Sequence, residues 1–72
     1  MAKTFSAIIE KEGSWFVGLC PELDVASQGR TMDEALANLK EAVELYIEHA
    51  DPSEVEDIGT PFITTLQVTA HG

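Results

Sequence analysis

The sequence predicts an α+β domain of order β-β-β-α-β: a four-stranded mixed sheet, order 3-2-1-4, with one helix on one face. Three observations predict it. Alternating apolar and polar residues flank a Glu-Gly pair near the start, the stretch from Met32 to Ala50 repeats with helical period, and residues 62–69 alternate again. A hairpin meander followed by a right-handed helical crossover brings the last strand in parallel beside the first. Residues 1–72 are expected to form one domain, with no separate DNA-binding domain.

The first strand is read at residues 3–11, with Phe5, Ala7 and Ile9 on one side and Ser6, Ile8 and Glu10 on the other. Glu12-Gly13 supplies the turn, glycine accepting any positive φ. The second strand is SWFVGLC, residues 14–20, and Pro21 ends it because proline donates nothing to a ladder. A short third strand spans residues 24–28 and precedes Gly29, which frees the chain to turn.

With Glu12-Gly13 as a two-residue loop, Lys11 faces Ser14, Ile9 faces Phe16 and Ala7 faces Gly18. One face then carries Phe5, Ala7, Ile9, Phe16, Gly18 and Cys20, and the small Ala7 and Gly18 leave room there for a helix. The other carries Ser6, Ile8, Glu10, Trp15, Val17 and Leu19, and its polar members mark it as outer. A bulged turn would shift the pairing by one and mix the two sets, making Trp15 and Val17 core residues.

The helix opens with Thr31 and Glu34, spaced as a capping box. Met32, Ala35, Leu36, Leu39, Ala42, Val43, Tyr46 and Ala50 form its apolar stripe, with Leu45 off it. His49 suits the negative end of the helix dipole, and Pro52 follows as a stop. Residues 51–61 read as an acidic loop, and 62–69 as a last strand with Phe62, Thr64, Leu66 and Val68 on one side.

Size and charge narrow the function. A chain of 72 residues buries only about 60% of its unfolded surface and needs a staple. Its single cysteine, Cys20, excludes an internal disulfide, and His49 and His71 lack zinc-type spacing. Self-association, as a homodimer or tetramer, is the remaining route. The formal charge of −9, from 13 acidic against 4 basic residues, disfavours direct nucleic-acid contact and favours a basic protein partner or simple solubility. No apolar run matches a membrane span or a signal peptide, and the lone thiol suits a reducing compartment, so a cytoplasmic location is expected.

The stretch CPELDVASQGRTMDEA, residues 20–35, resembles the HicB-type antitoxin family in its N-terminal domain. Cys20-Pro21-Glu22-Leu23 matches that family's strand-ending turn, Ser27-Gln28-Gly29 its glycine step, and Thr31-Met32-Asp33-Glu34-Ala35 its helix opening. Ile8 to Val17 and the helix end ELYIE are also similar, so the resemblance covers about residues 5–48. This chain has Asp24-Val25 where the family usually has Pro-Gly. The resemblance implies a reduced ribonuclease H-like fold without the nuclease carboxylates, which binds a small basic ribonuclease toxin and blocks its active site. Many relatives add a DNA-binding segment; this chain shows no such segment after its last strand, so operator binding is not expected of it.

The residues point to binding rather than chemistry. A half-covered sheet exposes Ile8, Trp15, Val17, Leu19 and Ile63 together as a partner-binding patch, with Trp15 as anchor. A metal nuclease would need converging carboxylates, for which only Glu10, Glu22, Asp24 and Glu34 are placed, and Glu34 already serves the cap. Cys20 has no neighbouring base in sequence and reads as a buried structural thiol. No catalytic residue, metal or cofactor is expected. The alternative to a toxin-neutralising module is a stand-alone homo-oligomer that hides the same face in its own copy.

Overall fold

The computed structural model describes residues 3–56, 59 and 61–70. Its elements run β1 (Ile8–Glu12), β2 (Trp15–Cys20), β3 (Val25–Gly29), α1 (Met32–His49) and α2 (Pro52–Glu56). The strands form an antiparallel three-stranded sheet in the order β1-β2-β3, and α1 packs across one face of it.

The expected four-stranded sheet is therefore corrected. Residues 62–69 pair with no strand, and Phe62, Ile63, Leu66 and Val68 stand in solvent, with Phe62 at 93% exposure. Alternation describes which side chains share a side; it does not supply a hydrogen-bonding edge, and a parallel partner lies a whole helix away in sequence. The expected loop at 51–61 also holds a short helix. Pro52 takes the first helical position, where its missing N–H is harmless. The Asp51 carboxylate accepts from the Ser53 amide at 3.0 Å and from the Ser53 hydroxyl at 2.9 Å.

The β1–β2 hairpin turns at Gly13-Ser14 rather than Glu12-Gly13. Gly13 sits at φ +61° in the first central position, and the pairs are Glu12 with Trp15, Lys11 with Phe16, Ile9 with Gly18 and Ile8 with Leu19. This register differs from the expected one by two residues. Because side chains alternate with period two, the two faces keep their membership.

Upstream of β1 the alternation fails. Residues 3–7 lie outside the ladder, Ala7 is exposed, and Ser6, expected on the outer face, is buried. Its amide donates to Glu22 Oε1 at 3.0 Å and its hydroxyl to Oε2 of the same carboxylate. Lys3 Nζ donates to the Val55 carbonyl at 2.7 Å, tying this segment to α2.

The Cys20–Leu23 turn closes through the Leu23 amide to the Cys20 carbonyl, 3.3 Å. Asp24 follows at φ +54°, a left-handed conformation that aspartate tolerates better than most side chains. Gly29 then ends β3, for a reason other than turning. A Cβ there would lie 2.6 Å from the Ala35 nitrogen and 2.8 Å from the Glu34 carbonyl carbon, so only glycine lets the helix start this close.

Thr31 caps α1 in extended geometry, its hydroxyl accepting from the Glu34 amide at 3.0 Å. The buried stripe is narrower than its sequence suggests. Ala35 and Leu39 are buried, whereas Met32, Leu36, Leu45 and Tyr46 are exposed. Asn38 ties the helix to the sheet, its amide donating to the Gln28 carbonyl at 2.8 Å.

Candidate partner-binding face

Close approach at two glycines marks the side of the sheet that the helix takes. Gly18 lies under α1, where an added Cβ would come within 3.1 Å of Ile9 Cδ1 and 3.3 Å of Leu39 Cδ2. Cys20 and Gly29 are buried on that same side. The intervening residues of each strand must point away.

Registered across the sheet, the far side forms rows. Ile8 faces Leu19 and Leu19 faces Ala26; Glu10 faces Val17 and Val17 faces Gln28; Glu12 faces Trp15. Ile8, Val17 and Leu19 are half-buried and Trp15 is 37% exposed, and no described element lies across them. Four of the five expected patch residues are thus brought onto one surface. Ile63 is not; without a fourth strand it lies in the unpaired segment, 61% exposed.

The structure adds a feature that pattern reading missed. The Arg30 guanidinium sits 4.6 Å from the centre of the Trp15 ring, a cation–π arrangement that pins the indole. Arg30 follows β3 directly and Trp15 opens β2, so the two become neighbours once Phe16 pairs with Gly29. With Glu10 and Glu12 beside it, the patch is an apolar centre with an acidic flank and one stacked cation.

The chemistry-bearing residues elsewhere are occupied. Burial, followed by the adjacent Glu22 carboxylate, pushes the Cys20 thiol up from its ordinary value, and the thiol donates to Glu22 Oε1 at 3.5 Å. A thiol held protonated is a poor nucleophile. For Glu22 itself burial works to raise the carboxyl, but the hydrogen bonds from Ser6 outweigh it and hold it below the usual range. Glu22 is thus committed to Ser6 and Cys20, while Glu34 takes part in the helix opening through its backbone amide. Among the described residues no three His, Cys, Asp or Glu side chains gather as metal ligands, and no helix is long and apolar enough to cross a membrane. His71, weighed as a ligand from sequence, lies outside the described residues.

A comparison with curated proteins finds similarity to a "UPF0150 protein" of Helicobacter pylori strain J99. The two are 39% identical over 51 residues, covering 69% of this chain and 71% of that protein. No family model matches the chain, and no solved structure matches it.

Proposed function

This chain belongs to the UPF0150 family, and from that membership and the uncovered sheet face we propose that it is a HicB-like antitoxin-type module, neutralising a small basic ribonuclease toxin by direct contact. UPF0150 is a HicB-like, antitoxin-related family, which agrees with the Cys-Pro-Glu-Leu turn and the Thr-x-x-Glu-Ala helix opening. The observation that carries the reading is the surface of Ile8, Val17, Leu19 and Trp15 lying open on the side opposite the helix. A pinned tryptophan at the rim of an apolar patch, here Trp15 beside Val17, supplies the kind of rigid aromatic side chain that anchors interfaces.

Charge gives the partner its sign. At −9 overall, the protein attracts a basic partner from a distance and accelerates encounter, an effect that weakens as salt rises. Glu10 and Glu12 place part of that charge at the edge of the patch. Contact, rather than catalysis, then does the neutralising: the module covers the toxin's active site and performs no reaction itself. We place this activity in the cytoplasm, where a ribonuclease toxin would find its substrate, with self-association through the sheet stabilising the small domain.

The test is co-expression with the basic protein encoded by the adjacent reading frame. The expected outcome is co-purification of the two and suppression of the partner's RNA cleavage in a stoichiometric titration. Absence of a complex with every basic neighbour would leave the stand-alone homo-oligomer instead. The exposed apolar side chains of Phe62, Leu66 and Val68 favour that second reading independently of any toxin.

A further inference from the structure

The unpaired segment and the free sheet edge belong to the same unsolved problem. β2 lies between β1 and β3, so the outer edge of β1 offers its backbone groups to no strand among the described residues. Just upstream of β1, along residues 3–7, opens a groove of about 880 Å³, walled by Phe5, Leu36, Leu39, Val43, Ile47 and Val55. Residues 62–69 lie outside it and carry an alternating apolar set, with Phe62 93% and Leu66 80% exposed.

We propose that residues 62–69 of one copy add as a strand to the outer β1 edge of a second copy, reciprocally, with Phe62, Leu66 and Val68 filling the partner's groove. Two features favour this occupant. At roughly 3.3 Å per residue the segment is long enough to run along all of β1 and part of residues 3–7 upstream of it. It contains no charged residue in a chain of net charge −9, so two mutually repelling copies can exchange it without bringing carboxylates together.

This inference rests on the self-association part of the proposed function and not on the toxin. Two measurements on the full chain test it. In sedimentation over a dilution series the wild type is expected to be dimeric and Leu66→Pro to have half that mass. The helical circular dichroism should be unchanged, since Leu66 is exposed and proline only removes a ladder donor. A photo-crosslinking p-benzoylphenylalanine in place of Phe62, in a mixture of isotope-labelled and unlabelled copies, should give mixed-isotope adducts on the α1 peptide. A dimeric Leu66→Pro, or adducts only within one chain, overturns strand exchange while leaving self-association standing. A monomeric wild type overturns both.

Discussion

The two faces of the sheet are made by the same three strands and end in opposite states. Toward the helix stand Gly18, Cys20 and Gly29, closed over by Ala35 and Leu39; away from it stand Ile8, Val17, Leu19 and Trp15, left open. The closed face sets small residues beside Ile9, Phe16 and Val25, whereas the open face sets its large apolar side chains beside Glu10, Glu12 and Gln28. A self-sufficient domain would cover both sets, because large apolar side chains gain most from burial. Here the largest fully buried side chain among the described residues is that of Cys20. Close backbone approach at Gly18 and Gly29 lets the helix settle on the closed face, while no described element covers the apolar side chains of the open one.

That contrast is broken most directly at the glycines. Gly29→Ala puts a methyl against the backbone of Glu34 and Ala35, which cannot move without shifting the helix start. We expect a loss of about 3 kcal/mol, a large part of what a domain this small commands. Gly18→Ala meets the movable ends of Ile9 and Leu39 instead and should cost about 1 kcal/mol. Urea titrations followed by circular dichroism compare them. Equal losses would show that the closed face is not set by backbone approach at Gly29.

Trp15→Ala tests the open face and should separate stability from binding. The ring is 37% exposed and its stacked partner Arg30 is a surface residue, so the urea midpoint should move little. Affinity for the basic partner should fall by about 2 kcal/mol, roughly thirtyfold, in calorimetric titration. A variant that unfolds the domain yet binds normally when folded would reverse the assignment of the two faces.

Much of this contrast could be read before any coordinates existed, and the reasons are local. Alternation along residues 8–20 places Trp15, Val17 and Leu19 opposite Gly18 and Cys20, and that division survives a two-residue error in the turn because the faces repeat every second residue. The Thr31 cap and the start of α1 were likewise legible, since the signal, Thr31 and Glu34, lies within one turn of chain. What failed was non-local. Nothing within residues 62–69 states which edge they pair with, and the burial of Ser6 depends on a carboxylate sixteen residues away. The Arg30–Trp15 stack had the same origin: it exists only once two strands are registered. Gly29 was singled out for the wrong property, because close approach to a later helix leaves no mark in the neighbouring residues.

The Ser6–Glu22 contact is where the closed face meets the segment before β1, and its charge makes the comparison sensitive to pH. The folded carboxyl titrates below the ordinary glutamate value of 4.5 because Ser6 donates to it twice. A depressed folded pKa means the contribution is complete above the unfolded value and is lost as pH falls through the folded one. Glu22→Gln keeps one acceptor and turns the other into a donor facing Ser6, so stability near neutral pH should drop by about 1 kcal/mol. Below the folded pKa the wild-type carboxyl is protonated too, and the gap between the proteins should close. Asp51, also held low by Ser53, titrates in both and cancels from the difference. Urea midpoints for the pair across the acidic range read this out directly: a gap that stays constant with pH would mean that shape rather than charge at Glu22 holds Ser6, and that the closed face owes nothing to this carboxylate's ionisation.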